Sequence, residues 1–275
     1  MSRRKKLGKM SLIVLVTYIF MIVMNYLADA LPLNGMTTGQ VSDSYSNLFA
    51  PAGYTFSIWG LIYVLLAFHV IYQLGFFRSG ERSEVKQLMQ KIAVYFSVTS
   101  VANACWIVAW HYGHLAISIV LMVIMLVSLI IINRMTVKAD LSFKEKFFIR
   151  LPFSIYFGWI TIATIANITS FFVSIGWNGW GLSEQTWTVI ILIVGTVIGI
   201  LTLLKNWLAS YGIVLVWAYI GIYNIHVSPN GWNEEYPSII LTVSICIILL
   251  AVLSLWVWIK RPNRKKRKGK MRSFR

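Results

Sequence analysis

The chain has 275 residues, of which 58% are hydrophobic and only 12% charged, with a formal net charge of +16. A soluble domain carries roughly 25% charged residues, so this composition excludes an ordinary water-soluble fold. Nucleic-acid binding is excluded as well, because the cations form short caps between apolar runs rather than one basic face.

Apolar runs long enough to cross a bilayer recur along the chain. A span needs roughly 20 such residues, since a rise of ~1.5 Å per residue must cover ~30 Å of hydrocarbon. Residues 12–31, 55–74, 92–110, 115–132, 148–172, 187–204, 207–225 and 238–259 meet this requirement. The fourth run is almost wholly Leu, Ile, Val and Met, and its aliphatics favour insertion by on the order of 4 to 8 kcal/mol. A single helix over 187–225 would be about 58 Å long at ~1.5 Å per residue, far beyond the hydrocarbon core. A tight hairpin at Lys205–Asn206 is therefore expected. The predicted fold is an all-α, polytopic transmembrane bundle of about eight spans.

Orientation follows from the basic residues. Arg3, Arg4, Lys5, Lys6 and Lys9 precede the first span; Arg78, Arg82, Lys86 and Lys91 follow the second; Arg134, Lys138, Lys144, Lys146 and Arg150 follow the fourth. Lys205 lies in the expected hairpin, and the remaining cations occupy 260–275. Every Lys and Arg thus falls on one side, the side that retains cations, so both termini are cytoplasmic and the location is a multi-pass cell-membrane one. The polybasic tail at 260–275 is expected to associate with anionic membrane lipids. Cys105 and Cys246 both lie within spans, which argues against a disulfide framework. The basic start, the first apolar run and Ala28-Asp29-Ala30 have some character of a cleavable signal peptide; the length of the run favours a retained first helix.

The outward connection at 32–50 is polar and rich in turn formers, among them Asn34-Gly35 and Ser42-Asp43-Ser44. It is long enough to fold back as a lid, or to remain a plain connector. Trp177, Trp180, Trp187 and Trp232 fall near outward span ends, where tryptophan anchors helices at headgroup level. Asn167-Ile168-Thr169 matches a glycosylation sequon but lies within a span. His111, His114 and His226 share the outward side and could in principle hold a metal. No carboxylate stands clearly beside them, and no metal or cofactor is expected. No nucleophile–base pair or phosphate cradle is present, so no enzymatic activity is expected.

Aromatic and amide side chains recur on three spans. Trp59 and Tyr63 share one face of the second at i, i+4, beside Tyr54 and Phe56. Asn103 and Trp106 lie at i, i+3 on the third, with Trp110 one turn on. Tyr156, Trp159 and Asn167 follow one another along the fifth. Facing inward, these groups would line a pocket for a flat apolar ligand with a few polar edges. The competing reading is helix packing, with Asn103 and Asn167 as interhelical hydrogen-bond groups.

These residues resemble a known family. Trp59-Gly60-Leu61-Ile62-Tyr63 is similar to the Trp-x-x-Leu-Tyr signature in the second helix of the TspO/MBR family, the tryptophan-rich sensory and translocator proteins. Pro51-Ala52-Gly53-Tyr54-Thr55-Phe56 resembles the lead-in to that helix, and Asn103-Ala104-Cys105-Trp106 its third-helix Asn-x-x-Trp. The segment from Trp159 to Asn167 resembles the fifth helix, with Tyr156 at the family's tyrosine. Ala52 and Tyr54 replace a proline and a tryptophan of the pattern, and paired prolines after the third-helix tryptophan are missing.

The resemblance implies a five-helix membrane domain at 11–175 after a basic segment at 1–10, with three further helices at 176–259 before the tail. It implies a ligand pocket formed by Tyr54, Trp59, Tyr63, Asn103, Trp106, Tyr156, Trp159 and Asn167. The implied partners are membrane lipids and a porphyrin- or haem-like or other apolar ligand, with a homodimer as a further expectation and no nucleic acid. Two functions follow: non-enzymatic capture and sensing of such a ligand, or a transporter or permease component moving a small hydrophobic solute. Coupled transport calls for embedded charge or broken helices, of which the sequence has little. Gly195-Thr196-Val197-Ile198-Gly199 offers small-xxx-small spacing for close helix approach.

Overall fold

The computed structural model describes residues 8–77 and 82–260. Arg3 to Lys6, Arg78 and the tail beyond Lys260 lie outside the described residues. Nine helices are present among those described. They are α1 (Lys9–Ala30), α2 (Thr38–Ser44), α3 (Ile58–Gln73), α4 (Ser83–His111), α5 (Leu115–Lys138), α6 (Phe143–Ser174), α7 (Glu184–Asn206), α8 (Ala209–Val227) and α9 (Pro237–Lys260). All but α2 are long and apolar enough to span a membrane, α3 together with the 3₁₀ turn at Gly53–Ser57 that leads into it, which gives eight spans among the described residues.

Several helices extend past the apolar windows read from sequence. α4 begins at Ser83 rather than near residue 92, because its first turns carry solvated charges beneath the hydrocarbon. α6 starts at Phe143, where Ser142 caps it in a box with Glu145. Its ladder relaxes through a π turn at Lys146–Arg150 just before Pro152. Proline has no N–H to give the ladder, and the wider turn accommodates its ring.

The inward hairpin falls two residues later than Lys205–Asn206. α7 runs through Asn206 and ends on Trp207 in the left-handed conformation, φ 53° and ψ 48°, with its N–H donating to Leu203 O at 2.8 Å. A non-glycine residue adopts this conformation only when its surroundings hold it there. Trp207 packs on Trp256 at 5.2 Å between ring centroids, and the next residue, Leu208, is buried.

α1, α3, α4, α5 and α6 form one bundle, with α4 packed between α1 and α5, and α6 against α5 and α3. α8 docks on the outer side of α6, and α7 and α9 pack together and against α8. Small residues permit this approach. A Cβ on Gly158 of α6 would sit 2.8 Å from the Tyr211 carbonyl oxygen of α8. One on Gly195 of α7 would sit 2.6 Å from the Tyr219 hydroxyl, so the small-xxx-small pair does face a neighbouring helix.

Candidate functional site

The site sits at the outward end of the five-helix bundle, beneath the connection between α1 and α3. That connection folds back as a lid. Thr37 caps α2 in a box with Gln40. Thr38 donates through N and Oγ1 to Asp29 Oδ1 at 3.0 and 2.9 Å, and Thr38 O accepts from Trp110 Nε1 at 3.3 Å. His111 meets Thr38 Oγ1 through Nε2 at 3.2 Å, and its Nδ1 lies 2.9 Å from Leu33 O. A carbonyl only accepts, which assigns the Nδ1 proton. Asp29, which offered no role by itself in the sequence, therefore anchors the lid.

Under this lid Trp59 is the hub of an aromatic cluster. Its ring lies 5.4 Å from Tyr63 in a stacked pair, 5.9 Å from Trp106, 5.9 Å from Tyr156 and 6.1 Å from Trp159. Edge-on and offset arrangements like these are the ones favoured by ring quadrupoles. Phe56 closes on Trp159 at 5.9 Å, and Trp110 stacks on Trp106 at 5.9 Å.

The amides tie these helices together. Asn167 Oδ1 accepts from Trp106 Nε1 at 2.9 Å and from Ser118 Oγ at 3.1 Å, joining α6 to α4 and α5. Deeper in the bundle Asn25 Nδ2 donates to Asn103 Oδ1 at 2.6 Å, and Asn103 Nδ2 reaches Tyr156 Oη at 3.4 Å. Asn25 on α1 was not singled out in the sequence. A lone amide on the first span has no pattern around it, and only packing shows its partner.

A cavity of about 30 Å³ lies between the lid and the cluster. Trp59, Trp106, Trp159 and Asn167 line it, together with Phe56 and the lid-side Pro51. Tyr63, Asn103 and Tyr156 are not among its lining residues. Tyr54 is placed elsewhere: half exposed, it packs edge-on against Trp217 of α8 at 5.6 Å, and its hydroxyl accepts from Asn224 Nδ2 at 2.6 Å. Trp159 Nε1 is buried and has no hydrogen-bond partner.

The three outward histidines do not converge. His111 is engaged by the lid, while His226 is buried between Trp232 and Tyr236. Among the described residues no group of three His, Cys, Asp or Glu side chains is placed to hold a metal.

Eight membrane-spanning helices, five of them forming the bundle that holds the interhelical tryptophan cluster, define a polytopic helical membrane protein. A family model described as TSPO-like protein matches residues 11–256, and the chain belongs to that family. The match runs through α7 and α8 and into α9, past the five helices that carry the motifs. No curated protein and no solved structure compared with the chain gave a significant match.

Proposed function

We propose that this membrane protein is a non-enzymatic binding or sensory protein that captures an apolar or tetrapyrrole-like ligand between its helices. Trp159 carries the reading. Its indole N–H is buried without a partner and belongs to the wall of a cavity that Phe56, Trp59, Trp106 and Trp110 also line. A buried unpaired donor costs about 1–3 kcal/mol, and a ligand with an acceptor at its edge would relieve that cost. The rings of Trp59 and Trp106 supply faces for a flat apolar body.

A cavity of about 30 Å³ holds roughly one water molecule, so a larger ligand has to displace the wall. In this reading the side that opens is the lid with the short 3₁₀ turn at Gly53–Ser57 that carries Phe56, against the hydrogen bonds that tie this turn to α8. Opening there separates Phe56 from Trp159 and leaves the α4–α5–α6 hydrogen bonds of Asn167 in place. Capture is thereby linked to lid position, as a sensor requires.

The test is a tryptophan-emission titration of detergent-purified protein with protoporphyrin IX, alongside Trp59→Phe and Trp159→Phe. Saturable quenching is expected, weakened in both variants. For Trp159→Phe the weakening is expected to be roughly two- to tenfold, the range of one neutral hydrogen bond. Quenching that never saturates, or that ignores both substitutions, would overturn the reading.

A further inference from the structure

A second cavity, larger than the first, lies outside the aromatic cluster. It has a volume of about 450 Å³ and opens where the outward end of α6, the turn that follows it and the first turns of α7 meet Asn47 of the lid connection. This is within the usual range for small-molecule sites, ~300–1,000 Å³.

Three aromatic rings in its wall, Phe172, Trp177 and Trp187, are held in place. Phe172 and Trp177 lie 4.5 Å apart, and Trp177 and Trp187 5.2 Å apart. Trp187 Nε1 donates to Gly179 O at 2.6 Å. Gly179 has φ +64°, and a Cβ there would sit 3.0 Å from the Trp187 ring, so the turn and the indole fit only with glycine. A headgroup anchor turns its ring outward, as Trp180 does at 77% exposure. Trp177 and Trp187 are instead half-buried against each other and line the cavity.

The charge of this region has one sign. Glu184 is the charged side chain in the cavity wall. One of its oxygens accepts from Leu48 N at 2.9 Å, and it forms no ion pair among the described residues. Asp29, Asp43, Glu234 and Glu235 lie on the same outward side, where the topology places no lysine or arginine among the described residues. A surface of uniform sign raises the local concentration of the opposite ion. Aromatic faces beside a carboxylate are the chemistry that takes an organic cation.

We infer that this outer cavity binds a bulky organic monocation, with its apolar body against Phe172, Trp177 and Trp187 and its charge toward Glu184. The site is separate from the cluster around Trp59, so it stands or falls independently of ligand capture there. The same chemistry could be offered by a free organic cation or by the ammonium of a choline lipid headgroup.

The test is calorimetric titration of the protein in dodecyl maltoside with tetraphenylphosphonium and with tetraphenylborate, its anion of the same shape. Saturable binding of the cation is expected, at least about tenfold tighter than that of the anion. Glu184→Gln keeps an oxygen for Leu48 N and is expected to weaken the cation roughly two- to fivefold with an unchanged melting temperature. Trp159→Phe is expected to leave it unaltered, which separates this outcome from the porphyrin titration. Competition by soluble dihexanoylphosphatidylcholine would assign the cation to a lipid headgroup, and lack of competition to a free solute. Equal binding of cation and anion, or indifference to Glu184→Gln, would overturn the inference.

Discussion

Trp106 on α4 donates its indole N–H to Asn167 Oδ1 on α6 at 2.9 Å, at the wall of the inner cavity. Ser118 on α5 completes the set, giving a proton to the same oxygen at 3.1 Å or receiving one from Asn167 Nδ2 at 2.8 Å. One amide therefore sets the spacing of three helices, and the cavity inherits its width from that spacing.

Asn167→Leu removes an acceptor from two buried donors. The expected loss is about 1–3 kcal/mol, because Trp106 Nε1 and Ser118 Oγ are left without this partner in a medium that has no water. A fall in the melting temperature of detergent-purified protein checks this. Asn167→Asp retains the acceptor oxygen but introduces a carboxyl to a buried position, and is expected to fall between wild type and Leu only when protonated. An unchanged melting temperature for Asn167→Leu would show that the amide is not what holds α4, α5 and α6 together.

Gly158→Ala tests how the last three helices are mounted. The added methyl meets the Tyr211 carbonyl oxygen at 2.8 Å and Val214 Cβ at 2.9 Å. Backbone cannot step aside as a flexible side-chain tip does, so α6 and α8 are forced apart at a cost of typically 1–3 kcal/mol. A cysteine pair placed across α6 and α8 is expected to crosslink more slowly in the Ala variant. Equal rates would contradict the close approach.

Tyr54 and Asn224 are expected to be coupled. Tyr54→Phe and Asn224→Ala each remove the 2.6 Å hydrogen bond between the lead-in to α3 and α8. Singly, each is expected to cost about 0.5–1.5 kcal/mol; together they are expected to cost less than the sum, as a double-mutant cycle detects. Amide exchange at 52–57 is the local readout, since this turn is also held by Ala52 N on Gly221 O at 3.0 Å and Trp217 Nε1 on Thr55 O at 3.0 Å. Strictly additive effects would mean that the two groups act separately.

Tyr54 also shows where reading by pattern stops. Tyr54, Phe56 and Trp59 look like one aromatic run in the sequence. The segment Gly53–Ser57 is a 3₁₀ turn, in which successive side chains are about 120° apart. Residues two apart then point to different sides, so Phe56 meets Trp159 while Tyr54 meets Trp217. Trp59 and Tyr63 lie on a true α-helix, where i, i+4 spacing keeps them on one face, and they stack as the spacing predicts.

The amino-acid sequence by itself determined the eight spans, their orientation and the family motifs around Trp59, Trp106 and Trp159. Span length and charge asymmetry are properties of the chain taken one segment at a time, because each segment partitions into the bilayer largely by its own composition. Only the tertiary structure decided which rings line the inner cavity, that Asp29 and His111 anchor the lid, and that Trp177, Trp187 and Glu184 surround an outer one. The decisive contacts join residues distant in sequence, His111 with Thr38 and Glu184 with Leu48, and their geometry depends on helix packing of the kind that Gly158 permits, which no single segment encodes.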